Sequence, residues 1–238
     1  MSVTETGPLL ASGRDADIYE YGPRLVLRRS RTPGRSMEGE ARTMEYVRSH
    51  GFPVPAVEFV SDDGTELVME RLSGPSMLGL LERRPWSLRS TAAVLADLHH
   101  RLHEIPAPDW VRRAPWGGDT GEALLHLDLH PLNVMMTGAG PVVIDWTNAS
   151  AGSPASDVAL TWAIVACAEI PGGAFKRAAF GRFRAGLVSA FLGHFDVDAV
   201  LAHLGPVVGW KVADANLGEA EKTSMRALVR RQAQDGEG

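Results

Sequence analysis

The hydrophobic periodicity of this chain changes once, near residues 70–75, and that change limits the architectures open to it. Before it, short extended runs at residues 9–11, 18–20 and 25–29 are broken by Gly13, Gly22 and Pro23. A helix is expected over residues 36–49, with Met37, Ala41, Met44 and Val47 on one side. Gly51-Phe52-Pro53-Val54-Pro55 ends it, because each proline pushes its predecessor out of helical geometry. Residues 57–60 and 66–71 read as a strand pair about the turn Asp62-Asp63-Gly64. The amino-terminal part is therefore a small, mostly antiparallel sheet with one helix inserted.

From Pro75 onward the pattern is helical. Thr91, Leu95, Leu98 and Leu102 recur at helical spacing over residues 88–103, and Asp97, His99, His100 and His103 read as that helix's polar side. Residues 134–136 and 142–144 form an expected hairpin about Thr137-Gly138-Ala139-Gly140. Ser153-Pro154 is a helix start, and the helix carries Val158, Trp162 and Val165. A further helix aligns Phe180, Phe183, Leu187 and Phe191, with Lys176, Arg177 and Arg184 on a solvated face. Helices over residues 197–217 and 219–231 complete the pattern, and residues 232–238 are expected to fray. The expected fold is α+β in two parts, residues 1–72 and 73–238, with a cleft between them as the natural place for a ligand.

Composition narrows the function classes. With 45% hydrophobic and 22% charged residues, the 238-residue chain is an ordinary globular protein. A net charge of −5 argues against a general nucleic-acid binder, which carries a basic face. Arg24, Arg28, Arg29, Arg31 and Arg35 do cluster, as a solvated patch or a phosphate site. The lone cysteine, Cys167, lies among apolar neighbours and reads as a small hydrophobe. The amino terminus resembles no signal peptide, and no apolar run reaches membrane-spanning length, so a cytoplasmic setting without membrane or nucleic-acid partners is expected.

The chemistry concentrates in His126-Leu127-Asp128-Leu129-His130-Pro131-Leu132-Asn133 and, after the hairpin, Val143-Ile144-Asp145-Trp146. Asp145 ends an apolar run, where a carboxylate needs compensation. A divalent cation compensates it well, and an Asn amide oxygen with an Asp carboxylate suits Mg²⁺. Phosphoryl transfer needs an oriented hydroxyl, a metal and a held phosphate. A carboxylate at Asp128, an Asn five residues later and a second Asp beyond a hairpin is the kinase arrangement.

These residues resemble the aminoglycoside phosphotransferase and choline kinase family, distant relatives of protein kinases. The match rests on His126-x-Asp128-x-x-x-x-Asn133 and Ile144-Asp145-Trp146. Gly152-Ser153-Pro154-x-x-Asp157, Leu95-Ala96-x-Leu98-His99, Val26-Leu27-Arg28, Glu40-Ala41, Pro53-Val54-Pro55 and the run from Leu67 through Glu70 to Leu72 extend it over roughly residues 9–170. The resemblance implies a two-lobed protein-kinase-like fold, with a small antiparallel-sheet lobe and a larger helical lobe. It implies ATP, or GTP, and Mg²⁺ as cofactors and a small-molecule hydroxyl as acceptor, in a family whose acceptors include aminoglycosides, choline and homoserine. By the same resemblance Asp128 is the catalytic base, His126 braces its loop, and Asn133 and Asp145 hold the metal. Ser12, Gly13 and Arg14 lie over the nucleotide phosphates, and residues 70–72, with Glu70 and Leu72, form the hinge against adenine. Arg28 stands where the family commonly has a phosphate-pairing lysine, with Glu40 as its helix partner. The sequence departs from the pattern there, and the loop over the phosphates has one glycine rather than three.

Two other readings are open. The altered lysine position motivates a catalytically silent, nucleotide-binding relative. His126, Asp128 and His130, at period-two spacing, motivate a metal-dependent hydrolase. Asp157 is read as a first-turn acid favoured by the helix dipole, with loop positioning as its alternative, and Trp146 as an apolar anchor.

Overall fold

The computed structural model describes residues 6–13, 16–168, 174–215 and 217–235, without the side chains of residues 174–180 and 235. Two compact units emerge: residues 1–76 with 133–149, and residues 77–132 with 150–238. The boundary expected after residue 72 thus falls after Ser76, and residues 133–149 join the first unit rather than the helical part. Backbone hydrogen bonds explain the exchange. Met136 N donates to Pro75 O at 2.8 Å, and Val143 N donates to Pro53 O at 2.9 Å.

The first unit is built on an antiparallel sheet of order β1-β2-β3-β5-β4. Its strands are β1 (Leu9–Ser12), β2 (Ala16–Tyr21), β3 (Leu25–Ser30), β4 (Val57–Val60) and β5 (Glu66–Glu70), with α1 (Glu38–Ser49) inserted between β3 and β4. The register pairs fully buried Leu27 with Val68, and sets Arg28 opposite buried Leu67. The helical face read from the sequence is the one α1 buries: Met37 just ahead of it, then Ala41, Met44 and Val47. The β4–β5 turn also seats that helix. Gly64 adopts a positive φ of 72°, Asp63 accepts from Ser61 Oγ and Thr65 N, and Gly64 O accepts from Met37 N at 2.8 Å.

The second unit contains α2 (Met77–Arg83), a 3₁₀ turn at Pro85–Ser87, α3 (Leu88–His103), β6 (Ala123–Leu125) and β9 (Ser150–Gly152). Helices α4 (Pro154–Cys167), α5 (Ala174–Leu192), α6 (Val197–Lys211) and α7 (Glu219–Asp235) follow. The hairpin of β7 (Val134–Thr137) and β8 (Gly140–Val143) belongs to the first unit. Helix α4 is buried around its whole girth from Ser156 to Ala163, with α3, α5, α6 and α7 packed on it. The pairing β6–β9 and helix α2 were not legible in the sequence, because a three-residue strand carries no readable period. Helix α6 stops at Lys211 rather than 217, and α7 continues to Asp235 where fraying was expected. The side chains of Phe180, Lys176 and Arg177 lie outside the described residues; Arg184 is half-buried and donates to Ala168 O. Cys167 is buried, and burial pushes its thiol up to about 11.

The histidine side of α3 is not a solvated flank. Asp97 and His100 are exposed, but His99 is fully buried against Phe191 and Phe195. His99 Nδ1 lies 2.8 Å from Leu95 O, and Nε2 lies 3.0 Å from Thr161 Oγ1, which donates to Leu129 O. The ring thus supports α4 and the loop after β6 together. No single helix among the described residues is long and apolar enough to cross a membrane.

Two outcomes are expected. Burial drives the His99 pKa down to about 4 from 6.5, so the folded chain keeps it neutral while the unfolded chain protonates first. This component of stability is present above about pH 6.5 and is lost as the pH falls toward 4. Urea denaturation should show about 2–3 kcal/mol less stability at pH 4.5 than at pH 7 from this group, a component missing from His99→Gln. Gly74 has φ 142°, and a Cβ there would overlap the Met136 carbonyl oxygen. Gly74→Ala should therefore cost more than about 1 kcal/mol in the same assay.

Candidate active site

The loop after β6 is held by its backbone before any side chain acts. Helix α4 starts at Ser153-Pro154, which sets Asp157 in its first turn, wholly buried. Asp157 Oδ2 accepts from His126 N at 3.0 Å, and Oδ1 accepts from Leu127 N at 2.8 Å. His103 Nε2 lies 3.1 Å from the same Oδ2. Burial would raise this carboxyl; the His103 hydrogen bond and charge, with the loop amides, outweigh it and hold it well below the usual range. Leu127 has a positive φ of 60°, a strain of about 1–3 kcal/mol for a non-glycine residue. Two charge-assisted bonds of about 1.5–3 kcal/mol each suffice to hold it. Asp157 is thus a loop-positioning residue, the alternative rather than the favoured reading of its sequence position. The His126 side chain is fully buried.

That strained turn presents Asp128. His130 N donates to Asp128 O at 2.9 Å, closing the loop tightly. The two carboxylate oxygens face different side chains: His130 Nε2 lies 3.7 Å from Oδ2, and Lys211 Nζ of α6 lies 3.5 Å from Oδ1. Burial would raise the Asp128 carboxyl; His130 and then Lys211 outweigh it and keep it far below the ordinary carboxylate range. The group is an ionised acceptor.

In the first unit, Asn133 directly precedes β7 and Asp145 closely follows β8. The Val134–Val143 pairing and the Ile144 N to Asn133 O bond of 3.0 Å bring both to one end of the hairpin. Asp145 has φ 66°, a second non-glycine residue in the left-handed region. Trp146 is buried as the anchor below it, donating to Val143 O at 3.2 Å and meeting Phe52 edge-on. Arg28 is the buried member of the arginine cluster. It pairs with Glu40 through Nη1 and reaches Asp145 Oδ1 at 3.1 Å through Nη2. Thr147 Oγ1 donates within the same cluster, 3.0 Å from Asp145 Oδ1 and 3.2 Å from Glu40 Oε2. Burial raises the Glu40 carboxyl, and Arg28 works against that shift. No lysine precedes Lys176 in the sequence, and the buried cation of β3 is an arginine, Arg28.

Two further arginines of the cluster are paired: Arg29 with Glu66, and Arg31 with Asp17. Ser12 and Gly13 are exposed at the β1–β2 turn, where Ser12 Oγ donates to Asp17 Oδ1 at 2.6 Å and Arg31 donates to Gly13 O. Arg14 lies outside the described residues. Glu70 is exposed at the end of β5, its Oε2 accepting from Ala56 N at 3.1 Å, and Leu72 is half-buried. Thr147 and Lys211 were missed in the sequence. Thr147 carries no signal there, whereas Lys211 continues the buried stripe of Val200, Leu204, Val207 and Val208 on its helix. Among the described residues, no group of three or more His, Cys, Asp or Glu could hold a metal. An Asn–Asp pair of hard oxygen donors fits an ion that keeps waters and takes phosphate oxygens as its other ligands.

The chain is similar over its whole length to a thermostable mutant of aminoglycoside phosphotransferase APH(4)-Ia, with 16% identity, 96% of that chain covered and a TM-score of 0.64. It is similar to the streptomycin-ATP-APH(2")-IIa ternary complex, with 15% identity over 93% of this chain and 91% of that one, TM-score 0.60. It is also similar to amicoumacin kinase hAmiN in complex with AMP-PNP, Ca²⁺ and Ami, with 17% identity over 96% and 88%, TM-score 0.54. These likenesses show the protein-kinase-like fold. No curated protein matches the sequence significantly. The phosphotransferase enzyme family (APH) matches residues 6–120 and 110–201, and this chain belongs to it.

Proposed function

We propose that this protein transfers the γ-phosphoryl group of ATP, with GTP as the alternative donor, to a hydroxyl of a small molecule. The observation that carries the reading is the ionised Asp128 carboxylate, presented on a strained loop whose backbone Asp157 grips, in a chain of the phosphotransferase family. The acceptor oxygen would attack the γ-phosphorus as the bond to the β-bridging oxygen breaks and the nucleoside diphosphate leaves. Asp128 would orient the hydroxyl and take its proton, with His126 bracing the loop.

Asn133 and Asp145 would hold Mg²⁺, which when bound neutralises charge on the phosphates. Arg28 would pair a nucleotide phosphate through its planar fork, with Glu40 fixing the guanidinium. Its present contact with Asp145 means that the nucleotide would take over one of its partners. Ser12 and Gly13 would lie over the phosphates, and Glu70 and Leu72 beside adenine. The relatives with streptomycin and ATP, and with amicoumacin, AMP-PNP and Ca²⁺, support a nucleotide, a divalent ion and a small-molecule acceptor. A cytoplasmic setting, without nucleic-acid or membrane partners, goes with this reading.

Two measurements test it. Asp128→Ala should lower turnover in a Mg²⁺–ATP consumption assay, run across antibiotics, amino alcohols and sugars, by about two to four orders of magnitude. Near-normal turnover would remove Asp128 from the mechanism. Asp145→Ala should abolish Mg²⁺-dependent ATP binding in calorimetry, and unchanged binding would remove the metal assignment.

A further inference from the structure

Lys211 is a costly residue where it stands. Its side chain is 9% exposed, at the end of α6 and in line with buried Val200, Leu204, Val207 and Val208. A lysine at such a position must be paired, because an ammonium out of water is strongly disfavoured. Lysine is also scarce here: the chain has three, at positions 176, 211 and 222. The pairing is specific. Nζ lies 3.5 Å from Asp128 Oδ1 and 3.9 Å from Asp214 Oδ2, and it sits 5.8 Å from the Trp210 ring centroid. Trp116 packs edge-on against Trp210 on the same wall.

The two helices divide the work on one loop. Helix α4 fixes the backbone of His126 and Leu127 through Asp157. Helix α6, packed along α4, brings an ammonium to the side chain of Asp128. With His130 facing Oδ2 and Lys211 facing Oδ1, the carboxylate plane is set from both edges. A base held this way keeps one orientation toward an incoming hydroxyl.

We propose that Lys211 is a positioning residue for phosphoryl transfer, acting through Asp128 by fixing the orientation of its carboxylate, with Asp214 holding the ammonium in place. The proposal rests on the function proposed above. Asp128 remains the group that meets the acceptor, and Lys211 sets how it does so.

The test uses steady-state Mg²⁺–ATP hydrolysis, with water in the place of the acceptor, on the full chain. ATP-binding stoichiometry from calorimetry counts the folded protein in each variant. Lys211→Met should lower kcat about tenfold or more with KM for Mg²⁺–ATP within about twofold. Lys211→Arg should recover most of the loss, and added methylammonium should restore Lys211→Ala in a saturable way. A purely structural role predicts fewer ATP-binding molecules but unchanged kcat in those that remain, with no rescue. Unchanged kcat in Lys211→Met, alongside a collapse in Asp128→Ala, overturns the role of Lys211 and leaves the phosphotransferase reading standing. Failure to find any Asp128-dependent turnover overturns both.

Discussion

The loop that presents Asp128 depends on one buried carboxylate gripping two consecutive amides. Asp157 has no exposed surface, and it accepts from the backbone of His126 and Leu127 while His103 supports it from behind. A carboxylate isolated in that environment would be strongly disfavoured. With three donors it becomes a rigid anchor, and it holds Leu127 in a left-handed conformation that the residue would not adopt unaided. The direction of Asp128 follows from that turn. The second support, from Leu129 O through Thr161 to His99, ties the same loop to α3 and α4.

Both units apply one economy of charge. Each buries a basic side chain and gives it two carboxylates: Arg28 with Glu40 and Asp145, and Lys211 with Asp128 and Asp214. Such clusters contribute little net stability, because desolvation offsets most of the Coulombic gain. They instead fix which way each acidic group points. For a reaction in which the protein contributes mainly position and charge, that is the useful quantity. An arginine suits this place by the same logic, since its fork reaches Glu40 and Asp145 at once.

Much of the fold was legible because its signals are local. The buried faces of α1 and α3, the turn at Asp62-Asp63-Gly64 and the start of α4 at Ser153-Pro154 each follow from a few neighbouring residues. The pairing β6–β9 and the attachment of residues 133–149 to the first unit depend on contacts distant in sequence, which leave no period to read. His99 was misread for the same reason. Its place among polar neighbours on α3 suggested solvent, but α5 covers that side with Phe191.

The sequence alone determined the family resemblance and singled out the residues of the proposed site, because Asp128, Asn133 and Asp145 lie in two short segments at telling spacings. The resemblance also named Arg28 and Glu40 as partners, and the two side chains pair. Only the tertiary structure decided that Asp157 holds the loop, that Thr147 completes the Arg28 cluster and that Lys211 reaches Asp128. The physical reason is separation along the chain. Asp157 lies 30 residues from Leu127 and Lys211 lies 83 from Asp128, so each contact exists only once the helices have packed.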